Sequence, residues 1–367
     1  MSEHPLANWL DQTIHGDCLE VLQSLPAESV DLIFADPPYN LQLQGELLRP
    51  NLSRVQGVDE DWDKFENLKA YDEFTEAWLS ACRRVLKPTG TLWVIGSYHN
   101  IYRVGSILQD LGYWILNDVV WVKSNPMPNF RGVRFTNAHE TLIWAQKEKG
   151  ARYTFNYQAM KMLNDDLQMR SDWFIPICTG KERLRENDKR LHPTQKPEAL
   201  LYRILMASTN PGDVVLDPFF GTGTTGMMAR KLSRHYIGIE IDARYVHYAR
   251  ERLSKNVQYE FDAPLLITPN PRSRKRIPFG SLVEQGYIRP GTQLSLGDEK
   301  QIWATVQADG ALVVGSQRGS IHSLAREILG RPANGWMLWH YWDEASQSHR
   351  KIDEIRKKYR DEMESDE

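Results

Sequence analysis

A glycine-rich turn between an apolar strand and a helix constrains the fold of this chain more than any other feature. Residues 213–216 are predicted as a strand that ends at Asp217, and a helix pattern runs from the turn to about residue 232. The turn contains three glycines in the spacing G-x-G-x-x-G, which are Gly221, Gly223 and Gly226. This spacing in a strand–turn–helix context is typical of α/β sheets that bind a nucleotide-like ligand at the turn.

Two carboxylates beside this turn indicate which ligand it binds. Glu240 follows a predicted strand at residues 236–239 and is placed to accept both hydroxyls of a ribose. Asp217 stands just before the turn, where a dinucleotide would place its pyrophosphate, and two negative charges there repel each other. S-adenosylmethionine has no phosphate and carries an α-ammonium, which Asp217 could organise directly or through water. Together with the next motif, these acids favour S-adenosylmethionine over a nicotinamide cofactor.

The tetrapeptide Asp36-Pro37-Pro38-Tyr39 follows the apolar strand predicted at residues 30–35, where an α/β sheet binds its ligands. Such a tetrapeptide suits methylation of the exocyclic amine of adenine. This amine is a poor nucleophile because its lone pair is delocalised into the ring, so it must be held in a defined orientation. The Asp36 carboxylate and the Pro37 carbonyl could accept its two N–H bonds, and the two prolines fix the backbone. Tyr39 could stack on a base flipped out of the duplex. A plain proline-containing turn is the alternative.

Strand-like and helix-like segments alternate along the first two-thirds of the chain. This alternation predicts an α/β fold with a Rossmann-like, mostly parallel sheet covered by helices on both faces. Predicted strands are residues 13–16, 30–35, 91–95, 113–122, 141–145, 213–216 and 236–239, and predicted helices include residues 71–86, 198–208 and 243–253. We expect Pro88 and Gly90 to close the helix at 71–86. Residues 40–61 and 170–191 are predicted as long loops, which are often functional.

Two further segments are candidates for the cofactor site. The loop HPTQKP at residues 192–197 could place Lys196 on the carboxylate of the cofactor, although a plain helix start with Pro197 is the alternative. Asp17 could accept from the adenine amine of the cofactor, or it could cap a helix. The cofactor-site candidates are Asp17, Cys18, His192, Thr194, Lys196, Asp217, Phe219, Gly221, Gly223, Thr224, Glu240 and Asp242.

Contact with DNA would have to come from local groups of basic residues. The net charge of −3 argues mildly against a non-specific nucleic-acid-binding protein, but a specific one needs only a local basic surface. The segment KSNPMPNFRGVRF mixes basic, amide and aromatic side chains after a strand, and the run RSRKR is either a DNA contact or a solvated charge run. The predicted DNA contacts are Asn40, Lys123, Asn125, Asn129, Arg131, Arg134, Arg272, Arg274, Lys275 and Arg276.

A change of composition near residue 256 divides the chain. The predicted parts are a catalytic domain at 1–260, a basic, proline-containing linker at 261–276, an α+β accessory or DNA-recognition domain at 277–345, and a charged tail at 346–367 that is either a solvated helix or frayed. No apolar run approaches the roughly 18–20 residues of a membrane span. Three widely spaced cysteines predict neither a disulfide framework nor a metal site. We therefore expect a cytoplasmic protein that has no membrane span and binds no metal.

The order of the motifs carries a family resemblance. The tetrapeptide comes first, the HPTQKP loop follows, and the glycine-rich turn comes last. This order resembles the circularly permuted β-class of amino methyltransferases, in which Asp-Pro-Pro-Tyr is typical of adenine N6 methylation and Ser-Pro-Pro-Tyr of cytosine N4 methylation. The acid at Asp36 therefore indicates adenine.

A narrower resemblance covers nearly the whole chain. The segments that carry it are DLIFADPPYNLQL, WVIGSYHNIYRVG, KSNPMPNFRG, NAHETLIWA, HPTQKPEALLYR, GSIHSLAREIL and NGWMLWHYW. They are similar to the cell-cycle-regulated DNA adenine methyltransferases of alphaproteobacteria. This resemblance implies methylation of the adenine in GANTC on double-stranded DNA, a homodimer, and no partner nuclease.

The hypothesis from the sequence is therefore a DNA adenine N6-methyltransferase that uses S-adenosylmethionine. No metal is expected, because the sulfonium is already a good leaving group. Three alternatives stay open: methylation of cytosine N4 or of an RNA base on the same scaffold, a DNA-binding regulator that has lost activity, and a nicotinamide-dependent oxidoreductase. The intact acid at Asp36 and the intact cofactor turn argue against the inactive regulator.

Overall fold

The computed structural model describes residues 5–40, 65–129, 132–186, 189–192, 194–255, 277–297 and 302–365. The chain divides into two units, Met1–Asn270 and Pro271–Glu367. The predicted linker at 261–276 lies outside the described residues. The same is true of five predicted DNA contacts, which are Arg131, Arg272, Arg274, Lys275 and Arg276.

The first unit alternates strands with helices, as predicted. Its strands are β1 (Gln12–His15), β2 (Val30–Ala35), β3 (Leu86–Gly96), β4 (Trp114–Lys123), β5 (His139–Gln146), β6 (Asp172–Ile175), β7 (Arg185–Glu186), β8 (Lys189–Arg190), β9 (Val214–Asp217) and β10 (His235–Glu240). Its helices are α1 (Cys18–Ser24), α2 (Leu68–Val85), α3 (Ile101–Asp110), α4 (Tyr157–Met162), α5 (Glu198–Ser208), α6 (Thr224–Lys231) and α7 (Ala243–Ser254). In the described residues, the main sheet has the strand order β1-β10-β9-β2-β3-β5-β4-β6, and β7 pairs with β8 separately.

The main sheet is largely parallel, which confirms the predicted α/β class. Neighbouring strands are parallel from β1 through β10, β9 and β2 to β3, and β6 is parallel to β4. However, β5 runs antiparallel to both β3 and β4. No helix is described between β4 and β5 in residues 124–129 and 132–138, so this connection lacks the crossover that a parallel pair requires.

Strand β2 shows how the sheet is buried on both faces. Leu32 and Phe34 belong to the apolar cluster that includes Ile204 of α5, on one face of the sheet. Ile33 and Ala35 belong to the cluster on the opposite face, which includes Trp78 of α2. Because side chains alternate between two covered faces, the strand is apolar from Leu32 to Ala35, and Asp31 near its start is paired with Lys87. After Ala35 the chain becomes polar, which places the next residues at the edge of the sheet.

Some predicted boundaries in the first unit were wrong. Helix α2 ends at Val85 and β3 begins directly at Leu86, so Pro88 and Gly90 lie within the extended segment and do not close the helix. The predicted loop at 170–191 contains β6, a 3₁₀ turn at Gly180–Glu182, and the β7–β8 hairpin. These elements are too short to give a periodic apolar pattern. Most of the other predicted loop, residues 41–61, lies outside the described residues.

The second unit is an α+β fold. Its strands are β11 (Gln293–Leu296), β12 (Trp303–Val306), β13 (Leu312–Val314), β14 (Gln317–Gly319), β15 (Trp339–Asp343) and β16 (Ser348–Lys351), and its helices are α8 (Phe279–Glu284), α9 (Ile321–Leu329), α10 (Gly335–Leu338) and α11 (Ile352–Ser365). The strands form an antiparallel sheet in the order β14-β13-β12-β11-β15-β16. Among the residues described, none of the helices combines the length and apolar character that a membrane span requires.

The charged C-terminal segment, predicted as either a solvated helix or a frayed tail, is a helix over Ile352–Ser365 that packs on the second unit. Strand β16 pairs with β15, and Ile352 at the start of α11 is fully buried. Ile355 and Tyr359 pack against the same core. Their spacing of three and four residues puts them on one helix face, while the charged residues that dominate the composition occupy the rest of the helix.

Candidate active site

A cavity of about 310 Å³ opens where β1, β2, β9 and β10 end. Ligands bind at this edge of α/β sheets, because the loops that leave neighbouring strands converge there. Fourteen of the predicted catalytic and cofactor residues line the cavity: Asp17, Cys18, Asp36, Pro37, Pro38, Tyr39, His192, Thr194, Lys196, Asp217, Phe219, Gly221, Thr224 and Glu240. Gly223 and Asp242 lie outside its lining. The structure therefore brings three distant sequence motifs to one place.

Asp217 ends β9 and organises the start of the glycine-rich turn. Its Oδ1 accepts the backbone N–H of Phe219 at 2.9 Å, and its Oδ2 accepts the hydroxyl of Thr225 at 2.6 Å. Burial raises the pKa of Asp217 to about 7. A cationic group placed beside this carboxylate would stabilise its ionised form. An ammonium is therefore the kind of ligand group that suits this end of the cavity.

The two turn glycines adopt backbone conformations that other residues avoid. Gly221 has φ of +52° and Gly223 has φ of +80°. A Cβ at Gly223 would also lie 3.2 Å from Cβ of Ala249. Left-handed backbone and close packing together require glycine at this position. Gly223 thus shapes the turn and begins α6 without lining the cavity.

Glu240 joins the end of β10 to the same turn. Its Oε2 accepts the backbone N–H of Gly221 at 2.7 Å, and its Oε1 accepts the backbone N–H of Asp242 at 2.8 Å. Each carboxylate oxygen has two lone pairs, so Glu240 can also accept from ligand hydroxyls. Asp242 caps α7 by accepting from the backbone N–H groups of Arg244 and Tyr245. Asp242 therefore positions Glu240 through its backbone N–H and caps helix α7 with its side chain. It is not part of the cavity lining.

Asp17 and Cys18 lie at the end of β1, at the start of α1. Asp17 caps the helix, with Oδ1 accepting the backbone N–H of Leu19 at 2.8 Å and of Glu20 at 3.3 Å. The helix-cap alternative considered for Asp17 is therefore what the structure shows, although the residue also lines the cavity. Burial raises the pKa of the Cys18 thiol to about 12, so this side chain is a neutral part of the wall.

The HPTQKP loop closes another side of the cavity. His192 accepts the backbone N–H of Thr194 on Nδ1 at 3.2 Å, and its ring lies 4.6 Å from the ring of Tyr245. Burial lowers the pKa of His192 to about 3, so the imidazole is neutral. Gln195 fixes the loop by donating to the carbonyl of Glu182 at 2.9 Å.

Two aromatic side chains that the sequence did not place in the site, Phe65 and Phe74, line the cavity together with the predicted Phe219. Phe219 packs edge-on against Trp78 at 5.3 Å and lies 6.2 Å from Phe74. Phe74 in turn lies 5.4 Å from Phe65, and both of these phenylalanines line the cavity. Phe74 lies on helix α2, and the apolar period of a helix does not separate a core position from one at the cavity edge. These rings form an apolar wall suited to a purine.

Asp36 lies in a buried group of charged and polar side chains that the sequence did not reveal. Lys196 Nζ lies 2.7 Å from Asp36 Oδ2, and the Tyr39 hydroxyl donates to Asp36 Oδ1 at 3.0 Å. The same hydroxyl is 3.0 Å from Oε2 of Glu140. Glu140 also lies 3.7 Å from Lys196 and 2.7 Å from Lys123. We call these five residues the Asp36 cluster.

The charges of the Asp36 cluster balance one another. Burial raises the pKa of Asp36, and Lys196 opposes this rise. Burial lowers the pKa of Lys196, but Asp36 and Glu140 outweigh burial and hold it above its usual value. For Glu140, Lys196 and Lys123 outweigh burial and hold the pKa below its usual value. Glu140 is thus held in its ionised form with little contact with water, and the charge of Lys196 favours the ionised form of Asp36 against the effect of burial.

Two predicted roles change because of this cluster. Lys196 was predicted on the carboxylate of the cofactor, whereas its ammonium is bound to Asp36. Lys123 was predicted to contact DNA, but its side chain is only 13% exposed and is paired with Glu140. Glu140 was missed altogether, although it lies in the segment NAHETLIWA. Its role depends on β5 lying beside β4, which the sequence pattern does not show.

The backbone of the tetrapeptide at residues 36–39 is held by helix α2. The Tyr71 hydroxyl donates to the carbonyl of Pro38 at 3.0 Å, and the side chain of Asn100 donates to the same hydroxyl at 3.1 Å. Tyr71 and Asn100 are both buried. A buried hydrogen-bonded chain of this kind fixes the position of the tetrapeptide relative to the sheet.

The other predicted DNA contacts are scattered over different environments. Asn125 accepts the backbone N–H of Ile177, and Asn129 accepts that of Gly132. Arg134 is exposed and donates to the hydroxyl of Tyr98 at 2.8 Å. Asn40 is buried and has φ of +52°. Beside Arg134, Phe135 is 98% exposed, so this loop presents both a cation and an aromatic ring to solvent.

Comparison with known proteins decides the family. Residues 30–251 match the N6_N4_Mtase family, described as DNA methylase, and residues 263–365 match the RAMA family, described as Restriction Enzyme Adenine Methylase Associated. The chain belongs to the N6/N4 DNA methylase family. The first match covers the strands that bear Asp36, Asp217 and Glu240, and the second covers the C-terminal α+β unit.

Individual relatives of this DNA methylase support the assignment. The type II methyltransferase M.HinfI of Haemophilus influenzae is 47% identical over 341 residues, which are 92% of this chain and 93% of that protein. The type II methyltransferase M2.DpnII of Streptococcus pneumoniae is 45% identical over 242 residues, which are 65% and 88% of the two chains. The structure of M1.HpyAVI with S-adenosylmethionine is 29% identical, with a TM-score of 0.50, and covers 66% of this chain and 98% of that one. The protein is a DNA methyltransferase, and S-adenosylmethionine is its cofactor.

The cavity lining fits S-adenosylmethionine. The Asp217 carboxylate suits an ammonium, the Glu240 carboxylate suits the hydroxyls of a ribose, and the wall of Phe219 and Phe74 suits an adenine ring. The Asp217 carboxylate would repel a pyrophosphate in the same place. When bound, S-adenosylmethionine supplies an activated methyl group on its sulfonium.

Proposed function

We propose that this DNA methyltransferase methylates N6 of adenine in double-stranded DNA. The observation that carries the proposal is Asp36, which lines the cofactor cavity and is paired with Lys196 at 2.7 Å. An ionised carboxylate accepts hydrogen bonds only, so it can take one N–H of an exocyclic amine and orient its lone pair. The tetrapeptide Asp-Pro-Pro-Tyr is the form that the family resemblance associates with adenine.

The other members of the tetrapeptide complete the site for the amine. In this proposal the carbonyl of Pro37 accepts the second N–H, and the ring of Tyr39 stacks on a base taken out of the duplex. Tyr71 and Asn100 hold the backbone in place through the carbonyl of Pro38. Holding the amine in line with the methyl group contributes to the rate because the reactants need no further ordering. Asp36 acts as an acceptor that orients the amine, which loses its proton readily after methylation.

The cofactor is assigned to the opposite part of the cavity. Asp217 would hold the ammonium, Glu240 the ribose hydroxyls, and Phe219 the adenine ring. His192 and Thr194 cover the site from the HPTQKP loop. This division leaves Lys196 with Asp36, where its charge favours the ionised form of the acceptor.

We infer that the recognition sequence is GANTC, and that the enzyme is a homodimer acting without a partner nuclease. The support is the resemblance of segments along nearly the whole chain to the cell-cycle-regulated adenine methyltransferases. The RAMA match over residues 263–365 supports adenine through the description of that family. Arg134 and Phe135 are the described candidates for DNA contact near the β4–β5 connection.

Methyl transfer to defined duplexes tests the proposed base. The purified protein is incubated with tritiated S-adenosylmethionine and a duplex containing GANTC, and the nucleosides are separated and identified by mass spectrometry. We expect label in N6-methyladenine and little transfer to a duplex in which GANTC is changed to GGNTC. Label in N4-methylcytosine would contradict the proposed base. Equal transfer to both duplexes would contradict the proposed recognition sequence.

A further inference from the structure

Tyr39 lies between two carboxylates that compete for one proton. Its hydroxyl is 3.0 Å from Asp36 Oδ1 and 3.0 Å from Glu140 Oε2. An ionised carboxylate can only accept, and a hydroxyl has a single proton to donate. The hydroxyl can therefore donate to only one of the two acids at a time. When it donates to Glu140, Oδ1 of Asp36 is relieved of that bond.

Glu140 also holds the two ammonium groups of the cluster. Its Oε1 lies 2.7 Å from Lys123 Nζ, and its Oε2 lies 3.7 Å from Lys196 Nζ. The side chains of Glu140, Lys123 and Lys196 are 12%, 13% and 7% exposed. Buried charges of this kind are stable only when they are paired, and Glu140 gives Lys196 a second acidic partner beside Asp36.

We propose that Glu140 is a positioning residue for methyl transfer: it takes the Tyr39 hydroxyl and anchors Lys196, which frees Asp36 Oδ1 to accept the amine of the target base. This inference rests on the proposed function of Asp36. With its hydroxyl held by Glu140, the ring of Tyr39 keeps one orientation for stacking on the base. Lys196 Nζ lies 5.2 Å from the centre of the same ring, so it stabilises this arrangement as well.

The substitution Glu140→Gln tests the inference because it keeps the shape of the side chain and removes its charge. Glu148→Gln is the matched control, since Glu148 is exposed just beyond the other end of β5. We expect Glu140→Gln to lower kcat at least about tenfold and to change the Kd of S-adenosylmethionine less than about threefold. The control should match the wild type. A kcat within twofold of the wild type would overturn the inference.

The pH profile separates a positioning role from a merely structural one. The groups that act on Asp36 are Lys196, Glu140 and Tyr39, and Asp217 faces it from β9. The charge of Glu140 raises the pKa of Asp36, and in Glu140→Gln the direct 2.7 Å ion pair with Asp36 still holds Lys196 in place, so the substitution should lower that pKa. The acid limb of kcat/KM should therefore move to lower pH in Glu140→Gln. A lower kcat with an unmoved acid limb would assign Glu140 a structural role and overturn the inference.

Two further variants keep the test decisive. In a Tyr39→Phe background, the loss caused by Glu140→Gln should be smaller, and an undiminished loss would contradict action through the hydroxyl. If Glu140→Gln does not fold, the double variant Lys123→Gln/Glu140→Gln removes both charges of the pair, and the same kinetic outcomes apply to it. The base methylated by the wild type tests the proposed function separately. Methylation of a base other than adenine would contradict that function. The ratio of kcat in Glu140→Gln to kcat in the wild type would still test the role of Glu140.

Discussion

The ammonium of Lys196 lies 2.7 Å from Oδ2 of Asp36, which joins the HPTQKP loop to the catalytic tetrapeptide. The loop was expected to serve the cofactor, and most of its described residues do line the cofactor cavity. Its lysine instead offsets the cost of burying the carboxylate for which we propose contact with the amine. In this proposal the two motifs act on the same chemical step.

Replacement of Lys196 by Met should change both the pH profile and the stability. Without the ammonium, burial and the charge of Glu140 raise the pKa of Asp36 further, so the acid limb of kcat/KM should move to higher pH. Removing one partner of a buried ion pair costs about 3–5 kcal/mol of unfolding free energy. Kinetics across pH and urea unfolding measure the two effects. An acid limb that stays in place would mean that Lys196 does not control the ionisation of Asp36.

Asp36→Asn should lose methyl transfer and keep cofactor binding. The amide presents one acceptor and one donor, so it cannot reproduce the charged acceptor, and we expect kcat to fall by about 100-fold or more. Calorimetry with S-adenosylmethionine should give a Kd close to that of the wild type. Asp118→Asn, at an exposed position of β4, is the control. Loss of cofactor binding in Asp36→Asn would give this residue a different role.

Glu240→Ala should weaken the binding of S-adenosylmethionine. The substitution removes the acceptor proposed for the ribose hydroxyls and also releases the backbone N–H of Gly221 from its 2.7 Å hydrogen bond. Each hydrogen bond contributes about 0.5–1.5 kcal/mol, so Kd should rise about tenfold or more. Glu251→Ala on the exposed side of α7 is a suitable control. An unchanged Kd in Glu240→Ala would remove this residue from the cofactor site.

The stability of the cofactor-free protein should depend on Asp217. Burial raises the pKa of Asp217 from its ordinary value of 3.8 to about 7, so the folded protein holds a proton there that the unfolded chain releases. The sign follows from linkage: stability is lost as pH rises from about 4 to 7. At ~1.4 kcal/mol per pH unit the contribution is roughly 4 kcal/mol. Asp217→Asn should flatten the pH dependence of urea unfolding over this range, and a slope equal to that of the wild type would refute the assignment.

Much of the site could be predicted because it is built from the ends of strands. The bounds of β2 were predicted correctly, since a strand covered on both faces is an apolar run with sharp limits. Asp36, Asp217 and Glu240 each follow such a run. Parallel strands end at the same edge of a sheet, so these three acids had to meet once the strands were recognised.

The Asp36 cluster could not be predicted in the same way. Lys123 and Glu140 meet because β4 and β5 are antiparallel neighbours, and strand order and direction leave no trace in the apolar pattern. An isolated lysine after a strand is equally consistent with contact to phosphate and with a buried ion pair. In the second unit, the many charges of α11 concealed the apolar spacing of Ile352, Ile355 and Tyr359.

Sequencing of DNA from cells that express the protein tests the central claim most directly. A bacterial host without its own adenine methylation receives either the wild-type gene or the Asp36→Asn variant, and modified bases are mapped on single molecules. We predict N6-methyladenine in GANTC with the wild type and no modification with Asp36→Asn. Methylation of cytosine with the wild type, or adenine methylation that persists with Asp36→Asn, would contradict the role assigned to this carboxylate.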